Sequence, residues 1–114
     1  MELSEALKAL NGEQLSSVEF VTYYVQLRFN GPCLTVYCQA QLVLHNGQSF
    51  AWGQPGFRDA LCSLIMRLVH KTEVSAEMLS IIFDNGGVWS VSLRDEDQTG
   101  LETLMFNDEQ RNLW

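Results

Sequence analysis

The chain has five thiol and imidazole side chains that could ligate zinc or serve nucleophilic catalysis: Cys33, Cys38, Cys62, His45 and His70. A zinc site usually draws pairs of ligands from one element through spacings such as CxxC or HxxxH. No such spacing occurs here. A thiolate and imidazole pair needs no sequence proximity, yet Cys38 and Cys62 fall on or beside apolar stretches, where small thiols are ordinarily buried and inert. Cys33, next to Pro32 in a turn, is the thiol expected to be exposed. His45 precedes Asn46-Gly47 and reads as a solvated turn residue. His70 follows a helix, where an imidazole interacts with the terminal carbonyls. No catalytic residue, metal ligand or cofactor is expected.

Two loops have the outline of ligand sites and lack the substance. Gly53 and Gly56 are not followed by the lysine of a phosphate loop or by a dinucleotide fingerprint. Asp84-Asn85-Gly86-Gly87 lacks the ligand series and closing glutamate of a calcium loop, and reads as a hairpin turn. The seven Lys and Arg residues are scattered along the chain, so the footprint that holds a nucleic-acid backbone is missing.

The acid, by contrast, is concentrated. From Asp84 onward seven carboxylates face two arginines, which places -5 of the net charge of -7 in the last 31 residues. Such a field suits either a solvated, solubility-giving edge or a docking surface for a cationic protein. The residues expected to contact a partner are Asp95, Glu96, Asp97, Glu102, Asp108 and Glu109, with Trp89, Phe106 and Trp114 as aromatic anchors.

The elements that must carry these residues follow from periodicity. Leu3, Leu7 and Leu10 form one stripe ended by Asn11-Gly12, a short amphipathic helix. Leu15 to Thr22 reads as a strand; Tyr23, Val25, Leu27 and Phe29 then alternate with polar neighbours as in a half-buried antiparallel strand, and Asn30-Gly31-Pro32 turns the chain. Leu34, Val36, Cys38 and Ala40 share the face of one further strand. Asn46-Gly47 marks a hairpin between Leu42-Val43-Leu44 and Ser49-Phe50-Ala51-Trp52. Phe57, Leu61, Leu64, Ile65 and Leu68 predict a core-facing helix, and Leu79-Ile81-Phe83 with Trp89-Val91-Leu93 a final hairpin. Beyond Leu93 the pattern decays.

One half-pattern occurs twice, 54 positions apart. Leu7, Leu10, Leu15, Glu19, Phe20, Val25, Leu27, Phe29 and Asn30 return as Leu61, Leu64, Val69, Glu73, Val74, Leu79, Ile81, Phe83 and Asp84. The expected fold is α+β: an unbroken antiparallel sheet with two helices packed on one face, built from two pseudo-repeated helix-strand-strand units. A single domain over 1–114 is expected, with repeat one at about 3–40, an inserted hairpin at about 41–54, repeat two at about 56–93 and an acidic tail at about 94–114. With GEQLSSVEF, YVQLRFNGP, GQPGFRDALCSLI and FDNGGVWSVSLRDED, the chain resembles a group of small uncharacterised bacterial α+β proteins with an internal helix-hairpin repeat. The resemblance spans most of the chain; it implies a repeat domain and supplies no activity.

A chain of 114 residues that is 46% hydrophobic and 18% charged is large and apolar enough to bury one core without staples. The amino terminus has neither a basic leader nor an apolar stretch, and no run approaches the roughly 18 apolar residues of a membrane span, so a cytoplasmic location and no membrane contact are expected. If Cys33 and Cys38 share a strand, five steps of about 3.3 Å part them by roughly 16 Å, well over the roughly 7 Å that a disulfide bridges. The functional expectation is a non-enzymatic acidic protein-binding module, its particular case an immunity-type protein neutralising a basic, nuclease-like toxin. The alternatives are a self-associating structural domain, a homodimer pairing through a sheet edge or the face of Thr35, Tyr37 and Trp52, and a small enzyme using Cys33 or His45.

Overall fold

A computed structural model of the chain describes residues 3–21, 24–37, 40–94 and 104–107. The chain opens with α1 (Leu3–Leu7) and a turn of 3-10 helix, Lys8–Leu10, followed by five strands: β1 (Leu15–Val21), β2 (Tyr24–Phe29), β3 (Cys33–Val36), β4 (Ala40–Val43) and β5 (Ser49–Ala51). Next come α2 (Phe57–Cys62), β6 (Val69–Val74), β7 (Met78–Phe83), β8 (Val88–Ser92) and β9 (Leu104–Asn107). The architecture is mixed, dominated by antiparallel strands with short helices.

The strands form two sheets rather than one unbroken sheet. One has the order β1-β2-β3-β9 and the other β5-β4-β8-β7-β6. The expectation of a single strand through Cys33 and Ala40 fails at this division. β3 ends at Val36 in the first sheet and β4 begins at Ala40 in the second, so one apolar alternation serves two different sheets. Period-2 patterning records which face is buried and is silent about which neighbour supplies the hydrogen bonds.

The second helix is also shorter than its apolar stripe. α2 ends at Cys62; the Ser63 hydroxyl donates back to the Ala60 carbonyl, a bond that competes with the helical ladder. Met66 then adopts φ +81°, outside the helical region. Leu68, expected on the buried stripe, is 43% exposed and faces Gln14 across a β-bridge. Leu61 and Leu64 are fully buried as their spacing predicts.

The two hairpins β1-β2 and β6-β7 share a register. Leu15 faces Phe29, the next step is irregular, and the pairing resumes at Ser17 with Arg28. Val69 faces Phe83, again with an irregular step, and resumes at Lys71 with Ile82. An extra residue of this kind bends its strand and raises the local twist. Asn30-Gly31-Pro32 follows β2 and Asp84-Asn85-Gly86-Gly87 follows β7, each turning the chain into the next strand; in the second turn, the Gly86 N–H donates to Phe83 O, with φ +90° at Gly86.

A seam of main-chain bonds links the β1 edge of one sheet to the β6 edge of the other. Gly12 N–H donates to Val69 O (2.9 Å) and Met66 N–H to Leu15 O (2.8 Å). Leu15 N–H donates to Arg67 O (3.0 Å) and Val69 N–H to Glu13 O (2.9 Å). Beside the seam lies one cluster of buried side chains drawn from both sheets and both helices, including Leu7, Leu10, Leu27, Leu34, Leu61, Leu79, Ile81 and Trp89. α1 packs against β6, and α2 against β4, β5 and the more distant β1, so each helix contacts a strand remote from it in sequence.

Candidate functional site

The residues expected to meet a partner divide into two groups. Asp95, Glu96, Asp97, Glu102, Asp108, Glu109 and Trp114 lie outside the described residues. Trp89 and Phe106 lie within them and are corrected by their burial: both side chains have 0% exposure. Trp89 faces Leu42 and Ile81 across its strand neighbours and lies 6.0 Å from the Phe57 ring. Phe106 pairs with Leu34 on β3. Strand alternation points both into the core, where an aromatic ring stabilises the fold and offers no contact to a second molecule.

The charges on the described residues are nearly balanced. They comprise seven carboxylates (Glu5, Glu13, Glu19, Asp59, Glu73, Glu77, Asp84) and six cations (Lys8, Arg28, Arg58, Arg67, Lys71, Arg94). Three of these carboxylates are in exposed ion pairs: Glu5 with Lys8 at 3.5 Å, Glu19 with Arg28 at 3.4 Å and Glu73 with Lys71 at 3.2 Å. Pairs so open to water contribute little to stability, but they do cancel the local field. Of the net -7, therefore, -6 belongs to residues outside the described set, Glu2 and the two stretches 95–103 and 108–114.

The thiols and imidazoles do not converge. No group of three or more His, Cys, Asp or Glu side chains among the described residues is placed to hold a metal. His45 is exposed in the β4–β5 turn, and His70 is exposed on β6. Cys33 is half-buried and paired with Arg28 across β2 and β3, whereas Cys62, expected to be buried, is exposed at the end of α2. The α2 stripe places Phe57, Ala60 and Leu61 inward, which turns position 62 to solvent. Cys38 lies outside the described residues.

The face expected to pair with a symmetry mate is partly closed as well. Thr35 is buried, its Oγ1 accepting a hydrogen bond from Gln26 Nε2 at 3.2 Å, and Tyr37 packs on Tyr24 with ring centroids 5.3 Å apart.

Two concavities were not foreseen from the sequence. One, of about 330 Å³, lies on the outward side of the five-stranded sheet between Gln41, Met78, Ser90 and Ser92. The other, of about 690 Å³, lies between the end of β1 and the start of α2, walled by Phe20, Trp52 and Phe57 with Arg58 at its rim. There the Arg58 guanidinium sits 5.4 Å above the Phe20 ring, a cation over the negative face of an aromatic quadrupole. The sequence signal for this second hollow is the glycine-rich run Gly53-Gln54-Pro55-Gly56, in which both glycines have positive φ.

Fold and site together define a small α+β domain of two antiparallel sheets with an acid-rich carboxyl-terminal sequence. Comparison with protein-family models, with curated proteins and with solved structures finds no match. No helix among the described residues is long and apolar enough to cross a membrane.

Proposed function

We propose that the protein is a cytoplasmic, non-enzymatic binding module whose acidic carboxyl-terminal stretch engages a basic protein surface, and that neutralisation of a nuclease-like toxin is the particular case. The observation that carries this reading is the distribution of charge along the chain: residues 84–114 hold -5 of the net -7, and residues 1–83 hold -2. A fold needs only modest, mixed surface charge to stay dissolved. A segment dominated by one sign instead concentrates the field where it can steer a cationic partner. Asp95, Glu96, Asp97, Glu102, Asp108 and Glu109 would face the cations that hold a phosphate backbone, and Trp114 would supply an apolar anchor. No bond is made or broken.

The scaffold under this surface is, in the same proposal, one helix-strand-strand unit used twice. Its support is the common 54-residue offset of the two helices, of the paired positions Leu15 with Phe29 and Val69 with Phe83, and of the irregular steps beside them.

The test of the binding reading is the triple variant D95N/E96Q/D97N, compared with the parent for recovery of protein partners from lysate at low and at moderate salt. Loss of a salt-sensitive basic partner is the expected result. Unchanged recovery refutes the reading.

A further inference from the structure

The seam between the two sheets has an internal symmetry. Its hydrogen bonds come in reciprocal pairs related by the 54-residue offset. Gly12 N–H to Val69 O is matched by Met66 N–H to Leu15 O, and Leu15 N–H to Arg67 O by Val69 N–H to Glu13 O. The bridge at the centre joins Gln14 to Leu68, positions that are themselves 54 apart. Each side therefore offers the other the same donors and acceptors, which is the definition of an isologous interface, the kind found between the two subunits of a twofold dimer.

We infer that this seam is a dimer-type interface closed within one chain, and that a second copy of the chain can supply either side of it, giving a reciprocally exchanged homodimer. The inference rests on the duplicated-unit reading of the scaffold and is independent of the basic partner.

Three further observations favour a second copy as the occupant. The seam is built mainly from main-chain groups, joined by Gln14 Nε2 donating to Met66 O at 3.1 Å, and any copy presents the same complement. Only residues 37–39 separate β3, in the first sheet, from β4, in the second, and short hinge connections invite exchange between molecules where closure strains them. The seam is also thinly reinforced: Met66 and Leu68 on it are 74% and 43% exposed, and Met66 has a left-handed backbone, φ +81°. Gly12 occupies the position 54 residues earlier with φ +83°, the residue that this conformation favours. In the exchanged dimer, residues up to β3 from one copy meet β4 through β9 of the other, across the seam and through the β3–β9 pairing. The contacts of the closed seam are retained.

Gln14 and Leu68 form a non-hydrogen-bonded antiparallel pair, for which the Cα atoms approach to about 4.5 Å, within disulfide reach. The experiment uses the full chain with Cys33, Cys38 and Cys62 replaced by Ser and carrying Q14C and L68C. It is unfolded in urea, refolded over a range of protein concentrations, oxidised, and run on a non-reducing gel. The expected result is an internally linked species of 13.0 kDa at low concentration and a covalent dimer at high concentration. The ratio of dimer to monomer should rise about tenfold for each tenfold rise in free monomer, as mass action requires. Chains carrying Q14C or L68C alone should remain unlinked.

Internal linkage at every concentration overturns the exchange while leaving the seam intact. Absence of any linkage overturns the seam register, and with it the support for duplication. Equal dimer yield from the single variants marks random oxidation and also overturns the exchange. If the variants do not fold, sedimentation of the unmodified chain refolded at high concentration decides the matter, and a strictly monomeric result refutes it.

Discussion

Gly12 and Gly56 both have a left-handed backbone, φ +83° and φ +90°, but they differ in what surrounds them. A Cβ at Gly12 would meet nothing within 4 Å, whereas one at Gly56 would lie 2.9 Å from Cε1 and 3.4 Å from Cδ1 of Phe50, a half-buried ring packed against the core. Substituting alanine at Gly12 therefore isolates the backbone term. A left-handed L-residue costs about 1–2 kcal/mol, and the reduced freedom of the unfolded chain returns about 0.4–1 kcal/mol, leaving a net loss of about 1 kcal/mol. Gly56→Ala adds the displacement of an aromatic ring, an overpacking cost of about 1–3 kcal/mol, for a total of about 2–4 kcal/mol. At about 4 °C per kcal/mol for a domain of this size, G12A should lower Tm by about 4 °C and G56A by about 8–16 °C. The decisive assay is a double-mutant cycle in urea with Phe50→Leu. If the ring is the obstacle, G56A should cost no more than G12A in the F50L background, a coupling well above the roughly 0.5 kcal/mol limit of additivity. Equal losses for G12A and G56A in the parent, or a G56A penalty that F50L leaves unchanged, would refute the argument.

Leu79→Ala should destabilise the protein by about 2–5 kcal/mol, because a fully buried leucine leaves a cavity that its neighbours only partly fill; equilibrium unfolding in urea measures this loss directly. Iodoacetamide under native conditions should label Cys62 faster than Cys33, following their exposure, with peptide mass mapping to assign each site. The reverse order would contradict the orientation of α2.

The body of the molecule stabilises itself by apolar burial more than by charge. The three ion pairs among the described residues are all about half or more exposed, and exposed pairs are worth roughly 0–1 kcal/mol each. What the two hairpins have in common is instead geometric: Val25, Leu27 and Phe29 on β2, and Leu79, Ile81 and Phe83 on β7, present one buried stripe each.

Sequence alone determined which faces are buried. Alternation at Val25, Leu27 and Phe29, the spacing of Phe57, Leu61 and Leu64, and the turns at Asn46-Gly47 and Asp84 through Gly87 are local signals, because side-chain direction repeats every two residues in a strand and every 3.6 in a helix. The concentration of acid toward the carboxyl terminus is likewise a property of composition. Tertiary structure decided how the strands are shared. The division between Val36 and Ala40, the early end of α2, and the turning of Leu68 from helix stripe to bridge partner all depend on hydrogen-bond partners distant in sequence. It also decided that Phe106 is a core residue, through the pairing of β9 with β3, because the sequence beyond Leu93 carries no alternation to follow, whereas the burial of Trp89 beside Val91 follows the alternation of β8 itself.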